Sequence, residues 1–155
     1  MGIPRFVNLV DILFPNIVRY VNLVYIHIAM FTLRHILRLN ALSCLVFGLV
    51  FAIRPAYVTE FLANADTAPA ELILGIGIVL LINAAHLIWA SFADQPIRKL
   101  IIYFALGDFL WVIASIGLVH MKLWITTSGG IFATLLVAVM VGLFGILQIV
   151  KLPNR

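Results

Sequence analysis

The stretch FALGDFLWV (residues 104–112) places an aspartate in the middle of a long hydrophobic segment. Asp108 is the only acidic residue in the interior of any hydrophobic segment of this chain. In a membrane, a carboxylate that faces lipid costs about 2.5–3.5 kcal/mol, and such residues often mark proton or cation pathways. Asp108 therefore predicts either a proton- or cation-binding site or a buried hydrogen-bond anchor that fixes the packing of neighbouring helices.

Other polar residues lie where they could reach this carboxylate. Asn83 and His86 are three residues apart, so they share one helix face. At 1.5 Å per residue, Asn83 comes to about the same depth as Asp108, roughly 13 Å from the cytoplasmic end. We expect Asp108 to pair with Asn83, His86 or Asn40. The predicted intramembrane polar cluster consists of Asp108, Asn83, His86, Asn40, Ser43 and Gln148.

Aromatic and small residues accompany the predicted cluster. Phe104 and Trp111 lie one turn to either side of Asp108 and are expected to form a pocket wall, and Ser115 falls on the same side two turns on. On the last hydrophobic segment, small residues recur every four positions, a pattern that brings membrane helices close together. The residues predicted to pack in this way are Gly130, Thr134, Ala138 and Gly142.

Other chemistries find little support in the sequence. Cys44 is the only cysteine, which excludes an intramolecular disulfide and a CxxC motif. No residues are spaced as zinc ligands, and no serine has the setting of a nucleophile. Haem ligation would need two histidines at one depth on facing helices, and His35 with His86 is the only pair worth testing. We expect no metal, no cofactor and no enzymatic activity.

The composition defines the class of protein. Of the 155 residues, 65% are hydrophobic and 10% are charged, and the mean hydropathy is +1.19. Soluble domains carry roughly 25% charged residues, so the chain is expected to be an integral membrane protein in contact with a lipid bilayer. The net charge of +4 comes from basic residues at segment ends, which suit anionic headgroups, and no nucleic-acid partner is expected.

Four segments are long enough to span a membrane, which takes about 20 apolar residues. Together they predict an all-α membrane four-helix bundle over residues 37–155. Basic residues collect at one end of the segments, whereas Glu60, Asp66 and Glu71 lie at the other, which predicts cytoplasmic N- and C-termini. The predicted spans are 37–57, 71–92, 99–119 and 129–150.

The first 36 residues form a separate predicted segment. Their polar residues recur at steps of three to five, so on a helix they form one stripe, which is typical of an amphipathic helix in the membrane interface. An alternative makes residues 17–34 a fifth span and puts the N-terminus outside. The residues of the stripe are Arg5, Asn8, Asp11, Asn16, Arg19 and Asn22.

Two stretches, RLNALSCLVFGLVFAIRP (38–55) and YFALGDFLWVIASIGLV (103–119), resemble a group of small bacterial four-helix membrane proteins of uncharacterised function, loosely similar to the DoxX-like proteins. The shared elements are D-x-L-W-V at Asp108–Val112 and F-G-L-x-F-x-x-x-P at Phe47–Pro55. The resemblance covers about residues 38–150 and leaves out the N-terminal segment. It implies a four-helix bundle in a bacterial inner membrane, and it implies no activity.

Three functions are compatible with this pattern. The first is a non-enzymatic accessory or interaction subunit of a bacterial inner-membrane complex, with other membrane subunits or further copies of the chain as partners. The second is a small proton- or ion-coupled transporter with Asp108 as its coupling site. The third is a quinone- or lipid-binding redox component that uses Trp111, Phe104 and His86.

Overall fold

The computed structural model describes residues 32–93 and 96–152, and within these ranges every regular element is a helix. Four of the five helices have 21 to 23 residues and are apolar enough to cross a membrane. A helix of 23 residues is about 35 Å long, which exceeds the roughly 30 Å of a bilayer's hydrocarbon core. The predicted all-α membrane four-helix architecture is thus confirmed for the described part of the chain. The helices are α1 (Leu33–Ile53), α2 (Pro55–Leu62), α3 (Ala70–Phe92), α4 (Arg98–His120) and α5 (Ser128–Val150).

The first span differs from its prediction of 37–57. Helix α1 begins at Leu33 and ends at Ile53, and the backbone breaks at Arg54, with φ −132° and ψ 51°. The break follows from Pro55, whose ring restricts the preceding residue and which has no N–H for the helix ladder. Pro55 instead begins the short helix α2, where the missing N–H would have had no partner. The other three spans agree with their predictions to within one residue at each end.

The predicted N-terminal interfacial segment lies outside the described residues, except that residues 33–36 form the first turn of α1. The alternative of a fifth span over residues 17–34 also falls almost entirely on residues outside the described ranges, and both remain predictions.

Helices α1 and α3 approach each other most closely at two glycines. A Cβ added to Gly77 would lie 2.8 Å from the backbone nitrogen of Ala52, and one added to Gly48 would lie 3.1 Å from the carbonyl oxygen of Gly77. A side chain at Gly77 would overlap the backbone of α1, and one at Gly48 would press on Leu81 and on the carbonyl oxygen of Gly77, so the two backbones lie close together. Ala41 and Ala84 are also buried, and each lies seven residues from the glycine of its own helix. This seam of small residues is absent from the sequence-based packing prediction.

Helix α5 contacts several neighbours through the residues predicted to form its packing ridge. Gly130 lies against Leu62 of α2, whose carbonyl oxygen would be 2.8 Å from an added Cβ, and Gly142 lies against Val112 of α4. Ala138 is buried, and Thr134 is partly exposed. Residues four apart on a helix are offset by about 40°, so three such steps turn the ridge by about 120°. The ridge therefore contacts different helices along its length and does not pack against a single helix.

The helices form two pairs, because α3 packs along α1 and α4 packs along α5, whereas α3 and α4 have no extended contact with each other. The pairs meet in a shared apolar cluster near the start of α1, which closes this end of the bundle. Towards the opposite end, α3 and α4 are separated by an open slot. The buried members of the shared cluster are Leu37, Ala41, Cys44, Ala84, Leu87, Ala90, Ile101 and Phe104.

Candidate functional site

The carboxylate of Asp108 is buried, with 5% of the residue exposed, and it is held by two side-chain amides. Its Oδ1 accepts a hydrogen bond from Nδ2 of Asn40 at 3.1 Å. Its Oδ2 accepts from the same Asn40 nitrogen at 2.9 Å and from Nε2 of Gln148 at 2.8 Å. Hydrogen bonds to a charged group contribute about 1.5–3 kcal/mol, and a buried charge without them is strongly unfavourable. The three residues therefore connect α1, α4 and α5, and we call them the carboxylate clasp.

Local sequence explains how α5 reaches the clasp. Gly145 lies three residues before Gln148 and so shares its face of α5. A Cβ added to Gly145 would lie 3.3 Å from Cβ of Asp108 and 3.2 Å from the ring of Phe109. The glycine thus lets the two helices approach closely at this level. The fully buried amide of Gln148 comes within hydrogen-bonding distance of the carboxylate as a result.

Asn83 belongs to the same polar network without reaching the carboxylate. Its Nδ2 donates to Sγ of Cys44 at 3.5 Å, and the Cys44 thiol donates to Oδ1 of Asn40 at 3.7 Å. Asn83 is therefore connected to Asp108 through two intermediate side chains. Ser43 turns back to its own helix and donates to the carbonyl oxygen of Asn40 at 2.8 Å.

His86 is the other predicted partner of Asp108 on α3, and it makes no hydrogen bond within the described residues. Its side chain is exposed on the same slot that Asp108 borders. Of the three partners predicted for Asp108, only Asn40 makes the contact, and Gln148 supplies the second amide.

The slot between α3 and α4 has a volume of about 940 Å³. Asn40 and Cys44 of α1 and Val141 of α5 contribute to its base. Val79 and Leu110 are 64% and 68% exposed, so the slot opens on the outer, apolar surface of the bundle. Its remaining lining comes from the two walls. On α3 these residues are Glu71, Leu72, Gly75, Ile76, Leu80, Ile82, Asn83 and His86, and on α4 they are Tyr103, Phe104, Leu106, Gly107, Asp108 and Trp111.

Of the three residues predicted to wall a pocket, Phe104 and Trp111 line this slot, whereas Ser115, which is buried, does not. The indole N–H of Trp111 is buried and has no acceptor among the described residues, and the buried Oε1 of Gln148 has no donor among them.

Two residues of the site have a role that the sequence analysis did not assign to them. Cys44, which connects Asn40 to Asn83, lies one helical turn after Asn40. Gly145, which allows α4 and α5 to approach each other closely, lies one turn before Gln148. Their spacing from the amides at three and four positions is the only signal in the sequence that could have indicated them.

Within the described residues, no group of three or more histidine, cysteine or carboxylate side chains is arranged to hold a metal ion. No protein-family model matches the chain, and the searches of curated proteins and of solved structures give no significant match either. The resemblance to small bacterial four-helix membrane proteins therefore remains a prediction. Any function has to be inferred from the geometry of the described residues.

Proposed function

We propose that this protein is a non-enzymatic integral membrane subunit, a four-helix scaffold that associates with other membrane proteins in a bacterial inner membrane. The observation that carries the proposal is the carboxylate clasp. Among the described spans, the one acidic side chain in a span interior is held by amides of α1 and α5, in the manner of a structural anchor. The apolar outer faces of the helices then serve for association within the bilayer.

The proposed orientation has both termini in the cytoplasm. At the end of the bundle where α1 begins and α5 ends, the charged residues within the described ranges are all basic. Cytoplasmic ends of spans carry an excess of lysine and arginine. The opposite end combines Arg54 and Lys122 with three acidic residues, Glu60, Asp66 and Glu71. The basic residues of the first end are Arg34, Arg38, Arg98, Lys99 and Lys151.

Site-specific photo-crosslinking in native membranes tests the association. A photoreactive residue is placed at one exposed position on each span, Leu49 of α1, Ile82 of α3, Leu110 of α4 and Leu136 of α5. A subunit gives an adduct of one defined mass from one face of the bundle, repeated one turn further along the same helix. The mass distinguishes a different protein from a second copy of this chain. Absence of a protein adduct at every position, or equal adducts from all faces, would contradict the proposal.

A proton- or ion-coupled carrier is the second candidate, favoured by the position of Asp108 on the border of the open slot. Asp108→Asn removes the charge and keeps the shape of the side chain. If the chain is a carrier, the folded variant loses proton-coupled flux in proteoliposomes. If Asp108 is an anchor only, the wild type has no flux to lose and the variant differs in stability alone. Ser115→Ala, a buried residue of α4 outside the slot, is the matched control.

A further inference from the structure

The slot between α3 and α4 has the volume of a small-molecule site. Its lining on α3 extends from Glu71 to His86, which corresponds to about 22 Å of helix. The slot holds about 940 Å³, within the range of roughly 300–1,000 Å³ that is typical of small-molecule sites. Its length and volume therefore fit an elongated small molecule.

Two glycines widen the slot without serving the packing of the described helices. Gly75 on α3 and Gly107 on α4 both line it, and a Cβ added to either would meet nothing within 4 Å. Glycine is less favourable than alanine inside a helix. At Gly48 and Gly77 the close approach of α1 and α3 explains the glycine. No such neighbour is present at Gly75 and Gly107, where the bare backbone instead suits a molecule lying in the slot.

The polar lining of the slot favours hydrogen-bond acceptors without charge. The Trp111 N–H is buried without an acceptor among the described residues, and the Asn83 amide donates only to a cysteine sulfur. The Asp108 carboxylate already accepts from Asn40 and Gln148, and it would repel an anion. Between Glu71 and Asn83, the residues of α3 that line the slot are all apolar.

We propose that the slot binds one neutral lipophilic molecule, with carbonyl oxygens at one end and a hydrocarbon tail at the other. The carbonyl end lies at the level of Trp111 and Asn83, and the tail follows Leu72, Ile76 and Val79 of α3. Membrane quinones and neutral glycerolipids share this chemistry. The site is independent of the proposed association with other proteins, since a single chain contains all of its lining.

The test uses the full chain in phosphatidylcholine nanodiscs, titrated separately with decylubiquinone and with dioleoylglycerol. Native mass spectrometry counts bound molecules, and tryptophan fluorescence gives the affinity. We expect one saturable molecule per chain. Gly107→Leu fills the slot and is expected to weaken binding at least tenfold. Gly117→Leu is the matched control, because Gly117 is on the same helix, also has nothing within 4 Å of an added Cβ, and does not line the slot.

A second pair of variants tests the carbonyl end. Trp111→Phe keeps the aromatic wall and removes the N–H, so the affinity is expected to fall by about two- to tenfold, the range for one neutral hydrogen bond. Trp89→Phe is the control, since Trp89 is 67% exposed on α3 and lies outside the slot.

The outcomes are separable. Saturation by decylubiquinone alone identifies a quinone site, and saturation by dioleoylglycerol alone identifies a glycerolipid site. Saturation by neither, or unchanged affinity in Gly107→Leu, overturns the inference. Circular dichroism and monodispersity establish that each variant is folded, and Gly75→Leu on the opposite wall replaces Gly107→Leu if the latter does not fold. Failure of the crosslinking experiment would leave this result unaffected.

Discussion

The side-chain nitrogen of Asn40 donates to both carboxylate oxygens of Asp108, at 3.1 and 2.9 Å, across 68 positions of the chain. The two residues belong to α1 and α4, which are members of different helix pairs. The contact therefore fixes how the α1–α3 pair meets the α4–α5 pair. Because its donors are neutral amides, the charge of the carboxylate depends on hydrogen bonds for its compensation.

Replacement of Asn40 by alanine is expected to destabilise the protein by about 2–4 kcal/mol, because Oδ1 of the buried carboxylate loses its only donor among the described residues. The free energy of unfolding is measured by titrating a denaturing detergent into mixed micelles and following helix content. Ser43→Ala is the control, because Ser43 lies on the same helix, donates to the backbone of Asn40 and makes no hydrogen bond to the carboxylate within the described residues. A loss equal to that of Ser43→Ala would show that the clasp contributes little.

The glycine seam predicts a contrast between two neighbouring positions on α3. Gly77→Ala places a methyl group 2.8 Å from the backbone of α1 and is expected to cost about 1–3 kcal/mol through forced separation of the helices. Gly75→Ala meets nothing within 4 Å and is expected to be neutral or stabilising by up to about 1 kcal/mol, because alanine is the better helix former. The same detergent titration compares both variants. Equal effects at the two positions would contradict the close approach of α1 and α3.

How far the fold could be predicted is clear from its spans. Hydropathy and length locate three of them to within one residue, because a helix of this kind must be apolar over the whole thickness of the bilayer. The prediction of the first span is wrong at its C-terminal end. The apolar run continues through Ala56, Tyr57 and Val58, whereas helix α1 ends at Ile53, just before Pro55. A hydropathy pattern records burial in lipid, whereas the helix end is decided by one restricted backbone angle.

The site was harder to predict because depth along a helix does not give direction around it. Asn83 comes to the depth expected for a partner of Asp108, yet α3 packs on α1, so the amide meets Cys44. Gln148 lies about 3 Å from the end of its span, against about 13 Å estimated for Asp108. The two side chains meet because α4 and α5 are offset along their axes. That offset depends on the tertiary contact at Gly145.

Helix α5 begins with a side-chain cap. The N-cap of this helix is Thr127, whose Oγ1 accepts from the backbone N–H of Gly130 at 2.9 Å, and Ser128 is the first residue of the helix. The same hydroxyl lies 2.6 Å from the carbonyl oxygen of Phe61, to which it donates. Thr127→Ala is expected to cost about 1–2 kcal/mol, the range for losing a helix cap, and Ser128→Ala less than about 0.5 kcal/mol. Thermal unfolding of both variants in one detergent checks the order, which a larger loss for Ser128→Ala would reverse.

The proposed orientation can be tested through the single cysteine. Cys44 is buried, so Cys44→Ala gives a background in which an added cysteine is the only reactive thiol. Glu60→Cys lies on α2 and Lys151→Cys follows α5, at opposite ends of the bundle. Because basic residues mark the cytoplasmic ends of spans, a membrane-impermeant maleimide is expected to label Glu60→Cys in intact spheroplasts. Lys151→Cys should react only after the membrane is opened. Labelling in the reverse order would invert the topology, and labelling of both variants in intact spheroplasts would contradict a pair of ends on opposite sides of one bilayer.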